Sequence, residues 1–330
     1  MKLVMLFTIV CSSMVRSNTL SQENNANFDE ELDASQEELM GFDLPSNAPK
    51  RSGDLDFSYN TETKDVKKNG PNYWSKISDK CGGKFQSPIN IVTNRGSVNG
   101  KLRNPTRRIK ITFPGESSST LENNGHTLQL TINKNNPKLF AFTSRISKEY
   151  NLKQIHFHFG CKLDERITGS EHRIDGKAFD LEVHFVFQDN NKVVSVVGVL
   201  FNEPIPSNAT NNDIKSPLKR LSSRVLRFKG KKKINFSNDV LKSLLPEDIY
   251  GELGTNNYYS YKGSLTTPPC TEEVRWKVIA DPKLIQKEFM KFLRKLPSHT
   301  NHEVNGLLCD NSRPIQNYQH TVYYKHENAI

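Results

Sequence analysis

The stretch from Gln154 to Phe187 constrains this chain more than any other. It reads QIHFHFG, then GSEH, then LEVHFVF. Gln154, His156 and His158 alternate with Ile155, Phe157 and Phe159. That two-residue period belongs to a β-strand, whose successive side chains point to opposite faces. One face carries two imidazoles and the other carries apolar bulk for a core. The second run repeats the device, with Glu182, His184 and Val186 on one face and Leu181, Val183, Phe185 and Phe187 on the other. If the two strands pair, three imidazoles converge. Three His ligands leave the fourth tetrahedral position of a zinc ion open, as catalytic zinc requires. Burying three imidazoles without a metal would leave several ring nitrogens to satisfy.

From Phe57 onward the chain is long enough for one domain with a substantial core. Short alternating runs dominate it: IKITF, LQLTI, LFAF, VVSVVGVLF and VRWKVIA, punctuated by Gly, Pro and Asn. Helix signals are few. Asp281-Pro282 would cap a helix over residues 283–296, with Leu284, Ile285, Phe289 and Leu293 on its apolar face.

Several longer motifs stand in one order: NGP-x-x-W from Asn69, QSPINI (Gln86 to Ile91), NNGH (Asn123 to His126), QIHFHFG, GSEH, LEVHF, GSLTTPPCTEEVRW (Gly263 to Trp276) and NSRP from Asn311. In this order they resemble the α-class carbonic anhydrases of the secreted type, over roughly residues 57 to 324. The resemblance implies a mainly β (α+β) fold, with a central, twisted, mostly antiparallel ten-stranded sheet and short peripheral helices. It also implies reversible hydration of carbon dioxide to bicarbonate and a proton by zinc-hydroxide attack, with one Zn²⁺ per chain.

Carried onto this sequence residue by residue, the resemblance makes His156, His158 and His184 the metal ligands. Gln154, the backbone carbonyl of Asn311, and Glu182 would take their outer ring protons. Thr266 would hand its hydroxyl proton to Glu171 and gate the nucleophile, and Thr267 would contact bicarbonate. Val186, Val196, Leu265, Val274 and Trp276 would wall an apolar pocket, the fitting receptor for an uncharged substrate. His126 would be the proton shuttle, its ordinary pKa suiting that role, with Tyr59, Asn124 and Gln129 ordering the water between. Cys81 and Cys270 match the family's disulfide pair. Cys161 and Cys309 are left as either a second bridge or two buried thiols, while Cys11 falls in the N-terminal leader.

The chain departs from the family pattern in places. Phe159 stands where a tryptophan is common, Thr127 is bulkier than the alanine found beside some shuttles, and the loop 162–169 is slightly longer. The stretch 202–233 is polar, basic and poorly matched. It contains Asn208-Ala209-Thr210, and Asn235-Phe236-Ser237 follows it; both are acceptors for N-glycosylation in a secreted chain.

Residues 1–17 read as a signal peptide: one early lysine, an apolar run too short to span a bilayer, then small residues. Residues 18–51 read as an acidic, disordered pro-segment or linker ending in the dibasic pair Lys50-Arg51. Residues 52–330 are left as the catalytic domain. The whole chain carries 46 basic and 36 acidic residues, net +10. Residues 1–51 hold four of the basic and eight of the acidic ones, so their removal leaves 42 against 28, net +14. Such a field favours an acidic extracellular matrix or a sulfated polysaccharide as partner, and secretion argues against nucleic acid. The C-terminal YYKHENAI offers no hydrophobic tail for a lipid anchor. A non-catalytic, carbonic anhydrase-like binding protein is the competing class. Such relatives typically lose a ligand histidine, and all three are present here.

Overall fold

The computed structural model describes residues 56–61, 69–93, 108–142, 147–161, 169–203, 230–255, 257–298, 306–317 and 322–325. The expected leader and acidic segment lie outside them, as does Asn208. The strands are β1 (Asn90–Ile91), β2 (Arg108–Thr112), β3 (Ser117–Asn123), β4 (Leu128–Lys134), β5 (Lys138–Phe142), β6 (Ser147–Phe159) and β7 (Arg173–Ile174). They continue with β8 (Leu181–Gln188), β9 (Val194–Asn202), β10 (Lys231–Phe236), β11 (Tyr258–Ser264), β12 (Glu272–Ile279), β13 (Lys283–Leu284) and β14 (Tyr323–Lys325). Twelve of these make one sheet, whose main path runs β10-β3-β4-β6-β8-β9-β12-β11-β14. The resemblance implied ten strands; two of the twelve, β13 and β14, are segments of two and three residues. Within this sheet pairing is antiparallel except where β9 meets β12 and β13; β1 and β7 form a separate parallel pair. The α-helices are short, the longest described being Lys287–Leu293, and no described helix is long and apolar enough to cross a membrane.

The alternation in the sequence sorts the sheet's two faces. All eight residues of β8 are buried, yet its two faces meet different surroundings. Leu181, Val183, Phe185 and Phe187 enter the main core with Ile155, Phe157, Phe159, Val197, Val199, Phe201 and the helix residues Phe289, Met290 and Leu293. Val186 faces the other way, into a second apolar cluster with Ile89, Ile91, Phe179, Val196, Leu200, Val274 and Trp276. Phe185 is 1% exposed, and truncating a side chain of that kind to alanine typically costs roughly 3–5 kcal/mol. Phe159, the departure from tryptophan, fills its place fully buried in the main core.

The helix expected over residues 283–296 forms only from Lys287. Lys283 and Leu284 instead pair in parallel with Phe201 and Asn202, and the Ile285 N–H donates to the Asn202 carbonyl. Those sheet bonds satisfy the backbone that a first helical turn would leave open. Ile285, Phe289 and Leu293 are buried as expected, whereas Leu284 is 61% exposed.

Candidate metal centre

Strand register brings the three imidazoles together. A bulge between Leu152 and Gln154 resets β6 against β8, so that Gln154 lies opposite Val186, His156 opposite His184, and His158 opposite Glu182. Opposed residues on a shared face have Cβ atoms roughly 4.5–5.5 Å apart, and the three ring centroids lie 4.6–5.0 Å from one another.

Each ring uses its outer nitrogen for a hydrogen bond to an oxygen. His156 Nδ1 donates to Gln154 Oε1 (3.0 Å), His158 Nδ1 to the Asn311 carbonyl (2.7 Å), and His184 Nε2 to Glu182 Oε1 (2.7 Å). With those protons outside, the inner atoms His156 Nε2, His158 Nε2 and His184 Nδ1 present lone pairs to one another. His184 Nδ1 lies 3.2 Å from His156 Nε2. Buried His158 Nε2 has no hydrogen-bond partner and sits 3.4 Å from Glu171 Oε2. Three converging lone pairs repel unless a cation lies between them. Ligands about 2.0–2.1 Å from a tetrahedral zinc would stand about 3.3 Å apart, close to the spacing found. The triad therefore fits the metal, as a group able to hold one ion.

The electrostatics agree. Burial, reinforced by His158 and His184, holds His156 well below the usual histidine range. Burial likewise lowers His158 to about 4 against the opposing bond to Asn311, and lowers His184 against the pull of Glu182. All three are thus neutral and available to a metal at ordinary pH. Glu182 is the counterweight. Burial alone would push its carboxyl up, but His172 and His184 hold it well below the usual carboxylate range.

His172, inside the GSEH motif, escaped the sequence reading. Its Nδ1 donates to Glu182 Oε1 (2.7 Å), its backbone N–H to Glu182 Oε2 (2.8 Å), and its Nε2 lies 2.6 Å from the Tyr261 hydroxyl, itself 2.8 Å from Ser87 Oγ. His172, Glu182 and His184 also cluster closely enough to hold a metal, but these bonds already occupy their polar atoms, so they form a hydrogen-bond network. Gly198, opposite His184, makes room for it, since a Cβ there would stand 2.9 Å from Glu182 Oε1. Arg313 was missed as well. Its N–H donates to Glu171 Oε1 (2.9 Å), and its guanidinium ties to Gln86, the Ser87 carbonyl and the Cys81 carbonyl. The signal lay in QSPINI and NSRP, but their meeting is tertiary.

Thr266 is buried and hydrogen-bonded to Glu171, whose carboxyl burial pushes up to about 7. Thr267 is half-buried next in the loop, its carbonyl accepting the Cys270 N–H. Val186, Val196, Val274 and Trp276 are together in the second cluster, with Leu265 packed against it. His126 is 7% exposed and its ring stacks on Phe57 at 4.0 Å. Asn124 Oδ1 accepts the N–H groups of His126 and Thr127, and Asn124 Nδ2 donates to Gln129 (3.4 Å). Tyr59 is buried beside Phe57 and Trp74. The Thr127 hydroxyl is bound to the backbone of Phe157 on β6. Cys81 and Cys270 are bridged, and so are Cys161 and Cys309. Asn235 is exposed on β10, at one end of the sheet's main path.

Three converging histidines in a large, mostly antiparallel sheet, flanked by an apolar cluster, form a group that could hold one metal ion. The family model for eukaryotic-type carbonic anhydrase matches residues 69–326. Carbonic anhydrase 7 from Homo sapiens is 32% identical over 254 residues, covering 75% of this chain and 90% of the relative. A carbonic anhydrase from Neisseria gonorrhoeae is 35% identical, covering 72% and 81% respectively. The solved α-carbonic anhydrase of Photobacterium profundum superposes with a TM-score of 0.54 at 26% identity, covering 79% of this chain and 96% of that one. This chain belongs to the eukaryotic-type carbonic anhydrase family, and the reaction of that family is the hydration of carbon dioxide.

Proposed function

We propose that the chain is a secreted carbonic anhydrase holding one zinc ion on His156, His158 and His184. The observation that carries this reading is the convergence of His156 Nε2, His158 Nε2 and His184 Nδ1, each with its other nitrogen bonded to an oxygen. When bound, zinc lowers the pKa of water to about 7 and so makes hydroxide available at neutral pH, a property for which carbonic anhydrase is itself the standard example.

The chain's own residues do the rest. Thr266, donating to Glu171, keeps its oxygen free to accept the nucleophile's proton and aim a lone pair at the substrate. Val186, Val196, Leu265, Val274 and Trp276 receive carbon dioxide, which has no charge to grip. Thr267 takes a hydrogen bond with bicarbonate. His126 accepts the departing proton and passes it to solvent, with Tyr59, Asn124 and Gln129 ordering the water between. Two disulfides fit an oxidising compartment, in keeping with residues 1–17 as a leader, and Asn235 is exposed as a glycan acceptor would be. Lys231, Lys232 and Lys233, exposed on β10, suit an acidic polysaccharide partner, which retention on heparin would test.

The deciding experiment is His184→Ala. It should abolish both stoichiometric zinc and carbon dioxide hydration, because two imidazoles cannot hold a catalytic site. Full activity in a metal-free preparation of that variant would sink the assignment.

A further inference from the structure

One short segment, residues 309–313, touches three parts of the centre. The Asn311 carbonyl takes the Nδ1 proton of His158 (2.7 Å). The Asn311 side-chain amide donates to the carbonyls of Phe157 (2.9 Å) and His126 (3.0 Å), and its Oδ1 accepts the Phe159 N–H (2.9 Å). Two residues on, the Arg313 N–H holds Glu171 Oε1 (2.9 Å). Metal ligand, shuttle and relay carboxylate thus hang on one piece of backbone outside the sheet. The end of that piece is locked three times over to the end of β6 and the residues just after it. The Asp310 N–H donates to the Phe159 carbonyl (2.7 Å), Asp310 Oδ1 accepts the Cys161 N–H (2.9 Å), and Cys309 is bonded to Cys161. Asp310 itself has a left-handed backbone (φ 59°), a conformation that short polar side chains tolerate better than most.

We propose that residues 309–313 act as a positioning strap for His158, Glu171 and His126, and that the Cys161–Cys309 bridge holds the strap in place. The bridge joins the residue two beyond the end of β6 to the residue two before Asn311, so it spans the bond between His158 and the Asn311 carbonyl. Without it, the left-handed turn at Asp310 is free to relax, and His158 loses the acceptor that fixes which ring nitrogen faces the metal. Loss of such outer partners typically costs 10–100-fold in metal affinity. The bridge is therefore part of the site's support although neither cysteine belongs to the three-histidine group.

This inference rests on the zinc reading above, and the test separates the two. Zinc release into excess chelator is followed for the zinc-loaded enzyme and for C161S/C309S, with Cys81–Cys270 intact. The variant should release zinc about 10–100-fold faster. The visible spectrum of its cobalt-substituted form should change, a readout that a bridge acting on stability alone would not move. Turnover in weak buffer should fall further than the exchange step, because the strap also holds His126. If the serine pair fails to fold, C161A/C309V, which keeps apolar packing, replaces it. Zinc release within about twofold of the parent enzyme, with an unchanged cobalt spectrum, in a folded variant overturns the proposal. A parent enzyme that binds no zinc overturns the zinc reading instead.

Discussion

His172 Nδ1 donates to Glu182 Oε1 over 2.7 Å, and the same oxygen takes the Nε2 proton of the candidate ligand His184 over 2.7 Å. One buried carboxylate thus orients a candidate metal ligand while being oriented itself by a histidine outside the candidate triad. His172→Ala would leave Glu182 without its largest favourable neighbour in a fully buried place. Removing the donor to a buried carboxylate and leaving that acceptor unsatisfied typically costs about 1–3 kcal/mol, and urea unfolding should show a loss of that size. A loss below about 1 kcal/mol would mean that the network reorganises freely.

Metal retention should persist to unusually low pH. An ordinary histidine protonates near 6.5, and a protonated imidazole cannot bind zinc. Burial lowers His158 to about 4, and holds His156 lower than usual too. A lowered pKa keeps the lone pair available as pH falls from 6.5 toward 4, so zinc should be lost only toward the lower end of that window. Zinc content after dialysis across that range checks this; complete loss by about pH 6 would contradict it.

His126→Ala should separate proton removal from chemistry. The nucleophile and apolar pocket do not include His126, so carbon dioxide–bicarbonate exchange should continue nearly unchanged while turnover in weak buffer falls. General acid–base groups are typically worth about 10²–10⁴-fold. Here the low end is expected, because the ring is buried against Phe57. Small imidazole buffers should restore much of the loss. Unchanged turnover in weak buffer would mean that another group exports the proton.

Removing the Cys81–Cys270 bridge should destabilise the fold by roughly 2–4 kcal/mol, the typical range for a native disulfide. It joins positions 189 residues apart. One end is the turn Asp79–Gly82, whose Cys81 carbonyl accepts from Arg313. The other follows Pro268-Pro269, just past Thr266 and Thr267. Equilibrium unfolding of C81S/C270S against the parent gives the number, and a midpoint indistinguishable from the parent's would refute the expectation.

The sequence by itself determined which side chains share a face. Two-residue alternation in QIHFHF and LEVHFVF is a property of the extended backbone, so the split between imidazoles and core residues was legible before any fold was known. Ordered motifs extended this to the apolar cluster of Val186, Val196, Val274 and Trp276, to Thr266 beside Glu171, and to the first disulfide. Tertiary structure alone decided what depends on register and on contacts between distant segments. The bulge after Leu152 puts His156 opposite His184. The second cysteine pair closed because the segment around Cys309 runs beside the end of β6. His172, Tyr261 and Ser87 come from three separate segments, and nothing local in any of them announces a shared network. Residues 283–284 joined the sheet rather than a helix because β9 offered them backbone partners. Local spacing determines a side chain's direction; only the packed chain determines what it meets there.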